Sequence, residues 1–221
     1  MSQDIAKPAL TTRMVRADAP GAVAEAADIL RRGGLVVFPT DTVYGVGCGM
    51  YDTGALARLY AAKERPRSMA IPVLISAPEH MAQAARHVPE TLAPLAERFW
   101  PGALTVILPR RIDLPEMLTA GGDTIAVRMP DHAIARALIE AAGGALAVSS
   151  ANRSGRPAPQ TAQEALDDLA GRVELVLDGG PCPLGEASSI IDLGSEPPQL
   201  LRRGALDVRA LREVLPDLAE A

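Results

Sequence analysis

Short apolar runs alternate with helical stripes along almost the whole chain, and this alternation restricts the fold more than any other feature of the sequence. Residues 35–38, Leu-Val-Val-Phe, have the length and composition of a buried strand. Ahead of them Val23, Ala26, Ala27 and Leu30 recur at helical spacing, and Gly33-Gly34 closes that stripe as a C-cap. Behind them Asp52 or Thr53 can cap a second helix, whose face is Leu56, Leu59 and Tyr60 and which runs to Lys63. The sequence then predicts a strand at 71–75, helices near 78–87 and 89–98, strands at 103–108 and 124–128, a helix at 132–142, a strand at 145–149, a helix at 162–169 and a strand at 173–177. Extended runs at 188–193 and 199–202 precede a last helix at 207–215. Strands and helices in this order predict a single α/β domain built on a mixed sheet.

The 221 residues, 48% of them hydrophobic, are enough for one sizeable core. Aromatics are only 3%, so that core is aliphatic, as in α/β proteins whose strands are covered on both faces. Residues 1–20 carry no clear period and read as an extended lead-in to a domain over 21–206, with a C-terminal helix in 207–221. A net charge of −5 argues against indiscriminate binding to nucleic acid or acidic membranes, so any anion site must be local. Cys48 and Cys182 stand apart without a C-x-x-C pair, which fits a reduced protein and leaves a disulfide between them open. No run reaches the ~20 apolar residues of a membrane helix, and the first ten residues lack a basic segment followed by an apolar one. The expectation is a soluble, cytoplasmic protein without a membrane partner. His80, His87 and His132 are scattered, with no H-E-x-x-H, and are expected at the surface rather than on a metal.

Four polar segments share a plan in which an apolar element ends and small hydroxyl residues, Gly, Pro and a cation follow: "PTDTVYGVG", "KERP", "VRMPDH" and "SSANRSG". Strand-end loops of this kind are where α/β proteins hold ligands. Each has an ordinary reading as well. Thr40, Asp41 and Thr42 can be turn residues, and Lys63 and Arg65 a solvated helix end. Arg128 ends the apolar strand "TIAV", so its guanidinium needs an anionic partner, either a carboxylate such as Asp131 or a ligand. Ser149, Ser150, Asn152, Ser154 and Gly155 offer hydroxyls, an amide and backbone donors suited to phosphate oxygens or a hydrated metal. No G-x-x-x-x-G-K-[ST] is present, and "GVGCGM" has Met50 in place of the last glycine of a dinucleotide loop, so its glycines read as close-packed backbone. The Pro-rich stretch 153–159 reads as a flexible loop.

Taken together and in order, "FPTDTVYGVG", "KERP", "FWPGALTVIL", "AVRMPDH", "SSANRSG", "LDGGPCPLG" and "LLRRGAL" resemble the YrdC-like family of threonylcarbamoyl-AMP synthases, from about Ala22 to Leu206. The resemblance implies a twisted α/β fold with a large, positively lined cavity, in the short bacterial form without the extra C-terminal domain of longer members. It implies an ATP-using nucleotidyltransferase that condenses L-threonine, bicarbonate and ATP, with Mg²⁺, into threonylcarbamoyl-AMP and pyrophosphate for the t6A modification of tRNA. Transfer RNA or t6A-transferring proteins would be further partners. Residue by residue, Lys63, Arg65, Ser150 and Asn152 match the family's polar tetrad at the nucleotide phosphates. Thr42, Arg128 and Ser188 match positions that hold threonine, and Thr124 and Arg202 match nucleotide contacts. Ala70, Ser149, Ser189 and Arg203 depart from the common pattern, which touches loop shape more than the tetrad. The other class of reading is a module that binds structured RNA in a basic cavity without chemistry; the acidic total charge and the few aromatics count against it.

Overall fold

The structure, a computed structural model, describes residues 10–220. Its backbone gathers eleven strands into one mixed sheet: β1 (Arg13–Arg16), β2 (Val36–Phe38), β3 (Gly45–Cys48), β4 (Val73–Ile75), β5 (Leu104–Pro109), β6 (Thr124–Arg128), β7 (Ala145–Ser150), β8 (Leu175–Asp178), β9 (Ser189–Asp192), β10 (Gln199–Arg202) and β11 (Ala219–Glu220). Across the sheet they lie in the order β1-β8-β2-β3-β7-β4-β6-β5-β9-β10-β11. The helices are α1 (Ala22–Arg31), α2 (Thr53–Lys63), α3 (Leu92–Phe99), α4 (Glu116–Thr119), α5 (Ala133–Ala141), α6 (Ala162–Leu169) and α7 (Val208–Val214).

Side chains alternate across each strand, so the sheet supports two cores. On one face Val37, Val46, Val73, Val106, Val127, Ala147, Val176 and Ile191 meet α2, α3, α4, α6 and α7. On the other, Val36, Phe38, Leu74, Leu146, Val148, Leu175 and Leu177 meet only α1 and α5. Strands β5, β6, β9 and β10 supply residues to the first core and none to the second. Among the described residues, their second face is therefore left uncovered by helices.

Most elements form where the apolar pattern places them, and α6 and β10 have the expected bounds. The differences have physical reasons. Residues 1–9 of the expected lead-in lie outside the described residues, but Arg13–Arg16 forms an edge strand parallel to β8. Its side chains are mostly exposed, so no apolar period marks it. The expected helix at 78–87 shortens to a 3₁₀ turn, Pro78–Gln83, and the next begins only at Leu92. The short α4 was not expected. The C-terminal helix stops at Val214, and Ala219–Glu220 returns to pair with β10. His87 is exposed, but His80 and His132 are half-buried, and His132 stands at the N-cap of α5. Cys48 and Cys182 are free, buried thiols.

Gly45 and Gly47 of "GVGCGM" are close-packed backbone within strand β3, whereas Gly49 lies beyond the strand and would meet only Asp52 Cβ at 3.7 Å. A Cβ on Gly45 would lie 2.8 Å from Val148 Cγ1, and one on Gly47 3.3 Å from Val148 Cγ2 and 3.0 Å from the Phe38 ring. Gly45→Ala should accordingly lower stability by about 1–3 kcal/mol through overpacking, read as a lower denaturant midpoint at unchanged slope. A midpoint equal to wild type would show that Val148 can turn aside at no cost.

Candidate active site

The open face of the sheet forms the floor of a cavity of about 350 Å³. One row of Cα partners crosses it: Leu74 on β4, Arg128 on β6, Thr105 on β5, Ile190 on β9 and Arg202 on β10. All five line the cavity. Arg202 reaches this face because the register shifts between Leu200 and Arg202: the extra residue, Leu201, reverses the alternation, leaving Leu200 in the core and Arg202 facing the cavity.

Arg128 is 6% exposed, and protein groups take three of its five N–H bonds. Nε donates to Gly102 O at 2.9 Å, Nη1 to Thr42 Oγ1 at 2.7 Å, and Nη2 to Asp41 Oδ1. The partner is thus Asp41, in the turn after β2, and not the sequence neighbour Asp131, which is exposed. Burial lowers the pKa of Arg128 and Asp41 opposes that shift. Ser188, also buried, pairs its hydroxyl with Thr105 Oγ1 at 2.7 Å and accepts from Arg202 Nη2 at 3.1 Å. Thr42, Arg128 and Ser188 share the cavity wall.

Lys63 is 1% exposed and does not line the cavity. It ends α2, and its Nζ donates to the backbone carbonyls of Ser150 and Asn152, while its own carbonyl accepts from Ser154 N at 2.8 Å. Lys63 is therefore the post on which the Ser-Ser-Ala-Asn-Arg-Ser loop is built. Burial pushes its pKa down to about 7, with Arg65 adding to the effect and Asp168 opposing it. The neutral amine still has the two N–H bonds that the two carbonyls require. Both N–H bonds of the Asn152 amide are spent within the loop, on Arg153 O at 2.9 Å and Arg156 O at 2.8 Å, while its Oδ1 is buried without a partner. Asn152 can thus offer only an acceptor, which suits a hard cation or water rather than a phosphate oxygen. The Pro-rich stretch expected to be flexible is tied down as well: Asp168 accepts from Arg153 N at 3.0 Å and Arg156 Nη1 at 2.6 Å, and Pro159 O accepts from Tyr44 N at 2.8 Å.

Glu64, left-handed at φ 53°, caps α2 and turns the chain so that Arg65 enters the wall. Arg65 donates to Met69 O at 3.2 Å and Ala70 O at 2.8 Å, which leaves three N–H bonds without a protein partner. With Arg128, Arg156 and Arg202 it makes four guanidinium groups on a wall whose lining includes no carboxylate. Thr124 does not join them. It lies two alternations along β6 from Arg128, on the same face but exposed and outside the lining. Thr105 and Arg156 line the cavity although sequence reasoning gave them no ligand role, and Asp41 stands behind the lining as the partner of Arg128. Asp41 is 87 residues from its partner, and nothing local signals the pair. Of the four departures, Ser149 lines the cavity, Ser189 Oγ accepts from Gly204 N at 3.2 Å, and Arg203 pairs with Glu220 at the surface.

The chain has known relatives in sequence and in fold. Residues 28–204 match the Sua5/YciO/YrdC family model, described as Telomere recombination. The threonylcarbamoyl-AMP synthase of Pyrococcus abyssi is 42% identical over 193 residues, 87% of this chain and 57% of the relative. That of Vibrio cholerae is 35% identical over 192 residues, 81% of this chain and 96% of the relative. Among solved structures, P. abyssi Sua5 complexed with L-threonine superposes with a TM-score of 0.90 at 39% identity, covering 96% of this chain and 62% of that one. Escherichia coli YciO gives 0.79 at 27% identity, covering 90% and 98%. The chain belongs to the Sua5/YciO/YrdC family. It spans a little over half the length of the Pyrococcus and Bacillus subtilis relatives, 57% and 56%.

The burial of Lys63 predicts a pH signature. Its folded pKa is about 7 against an ordinary 10.5, so between those values the unfolded chain binds more protons than the native one, and this group makes stability rise with pH. Below pH ~7 it is protonated in both states and adds no slope. Lys63→Met should remove this component, so the stability of wild type minus that of the variant should rise between pH 7 and 10 by up to about 1.4 kcal/mol per unit. A flat difference curve would mean that Lys63 keeps an ordinary pKa.

Proposed function

We propose that the chain is a threonylcarbamoyl-AMP synthase, an ATP-using transferase that joins L-threonine, bicarbonate and ATP into threonylcarbamoyl-AMP and pyrophosphate for t6A formation on tRNA. The observation that carries this reading is the meeting, in one cavity, of a partly satisfied buried guanidinium with a wall of less committed arginines. Arg128 keeps two N–H bonds for an amino-acid carboxylate, a pair that a planar fork holds bidentately. Arg65, Arg156 and Arg202 supply the charge that a polyphosphate requires. The threonine-bound Pyrococcus relative and the shared family name support the assignment. The fold has no helix long and apolar enough to cross a membrane among the described residues, in keeping with a cytoplasmic tRNA-modifying enzyme.

No protein nucleophile is needed. The threonine amine takes up CO₂ derived from bicarbonate, and an oxygen of the resulting carbamate attacks the α-phosphorus of ATP with loss of pyrophosphate. The residues of this chain hold the reactants in line and neutralise charge at the phosphates. Arg65, Arg156 and Arg202 carry that neutralisation. Lys63 acts through the loop it supports, and Asn152 Oδ1 is the acceptor suited to the Mg²⁺ that arrives with ATP. Leu74, Val148 and Ile190 give the cavity its apolar patches.

Pyrophosphate release from ATP should require both L-threonine and bicarbonate; release that persists with either omitted overturns the reaction. Arg128→Lys keeps the charge and removes the fork, so threonine binding should weaken by about 1–3 kcal/mol while ATP binding without threonine is retained. If calorimetry finds unchanged threonine affinity in that variant, and its melting temperature alone falls, Arg128 is only a structural partner of Asp41.

A further inference from the structure

We propose that Asp168 is a positioning residue for the nucleotide phosphates: from the last turn of α6 it aims the Arg156 guanidinium into the cavity. It rests on the ATP-using reading above and deepens it by adding a residue that itself touches no substrate. The four arginines of the lining differ in how they are held. Protein groups take three N–H bonds of Arg128, Arg65 donates to two carbonyls, and Arg202 donates to Ser188 O at 3.0 Å and Ser188 Oγ at 3.1 Å. Arg156, whose side chain is 54% exposed, has one partner among the described residues: Nη1 donates to Asp168 Oδ1 at 2.6 Å. That bond alone fixes where its guanidinium stands, and the other N–H bonds remain for a ligand.

Asp168 follows Ala165 by one helical turn, on the border of the buried face of α6, and its side chain is 10% exposed. Its second oxygen, Oδ2, accepts from Arg153 N at 3.0 Å. Arg153 opens a turn with Gly155 at φ 85°, closed by Arg156 N donating to Arg153 O at 3.1 Å. One carboxylate thus holds both ends of the turn, by the backbone of its first residue and the side chain of its last. The same turn offers the carbonyls of Arg153 and Arg156 to the Asn152 amide, so the direction of Asn152 Oδ1 depends on it too. Burial acts to raise the pKa of Asp168, but the Arg153 N–H and Arg156 outweigh it and leave the carboxyl below its ordinary value, charged at neutral pH. That charge has two opposed effects on a bound phosphate: it is an anion near the site, and it keeps an otherwise free arginine in place. Arg156 is half-exposed, so solvent screens the repulsion, whereas an untethered arginine must be ordered anew by every ligand it meets. The tether therefore outweighs the repulsion.

Asp168→Asn separates the two bonds. Its single carbonyl oxygen can serve only one donor, and the Arg153 N–H is fixed in the turn, so Arg156, free to swing into solvent, is the one that loses its partner. The test is calorimetric titration of the whole chain with ATP and Mg²⁺, and separately with L-threonine, in wild type, Asp168→Asn, Arg156→Met and the double variant. Asp168→Asn should weaken ATP binding by about two- to tenfold, the cost of ordering one long side chain, with L-threonine affinity within about twofold of wild type. In the Arg156→Met background the same substitution should change ATP affinity by less than about twofold. An equal loss in both backgrounds means that Asp168 supports the domain rather than Arg156 and overturns the proposal; so does unchanged or tighter ATP binding in Asp168→Asn. Should Asp168→Asn not fold, an ATP affinity of Arg156→Met equal to that of wild type overturns it by itself. Wild-type protein that binds L-threonine but no ATP overturns the ATP-using reading, and this proposal with it.

Discussion

A guanidinium buried on an inner strand is the constraint around which this molecule is arranged. Arg128 ends β6, with β4 on one side and β5 on the other, where an unpaired charge would not be tolerated. Its carboxylate partner comes from the turn after β2, and in the sheet β3, β7 and β4 lie between the two strands. The pair therefore ties the turn across the intervening strands and fixes one wall of the cavity. The turn is held from behind as well, since Asp41 O accepts from Leu184 N at 3.1 Å and Tyr44 OH donates to Gly180 O at 2.7 Å. Removing one member of such a pair costs about 3–5 kcal/mol, because the other is left charged and buried. A site that needs a desolvated cation thus also needs its own anion, and this sets the local charge balance before any ligand arrives.

The opposite wall depends on Lys63 in a comparable way. The lysine spends its donors on the backbone of the Ser150–Asn152 loop, so the residue that looks most like a phosphate ligand in "KERP" serves the loop, while Arg65, two residues on, faces the cavity. Arg suits this part better than Lys, for Arg65 keeps three N–H bonds after it has satisfied two carbonyls, where an ammonium would keep one. Both walls are held by bonds that exist without ligand, which is how a site keeps its donors aimed at low reorganisation cost.

Sequence alone made the architecture legible because strand and helix periods are local. The stripe of α6 with its Thr161–Glu164 capping box can be found in a short window. What escaped the sequence was non-local or unpatterned. Arg13–Arg16 becomes a strand only because β8 offers an edge, and Ala219–Glu220 because β10 does. The need of Arg128 for an anion could be read from its apolar strand, but the identity of that anion could not. Asp131 is close in sequence, while Asp41 is close only after the sheet has formed. The motif resemblance pointed to nine residues, of which the cavity lining brings together Thr42, Arg65, Arg128, Ser150, Asn152, Ser188 and Arg202, while Lys63 and Thr124 stay outside it. It said nothing of donor and acceptor roles, which depend on the partners each group finds after folding. That is why the sequence leaves Asn152 open to phosphate oxygens or a hydrated metal, and only the folded loop shows that it has just an acceptor to offer.

The lining brings together the guanidinium groups of Arg65, Arg128, Arg156 and Arg202. Under the proposed reaction the threonine amine enters as an ammonium, a cation that these groups repel. Once it has lost its protons and taken up CO₂ it is an anionic carbamate, which they attract. The chemical change therefore reverses the sign of that one group's interaction with the wall, so the charges that would hold the phosphates also favour the carbamate over the free ammonium. Arg128, held by Asp41, Thr42 and Gly102, keeps the carboxylate fixed while the amine end changes sign.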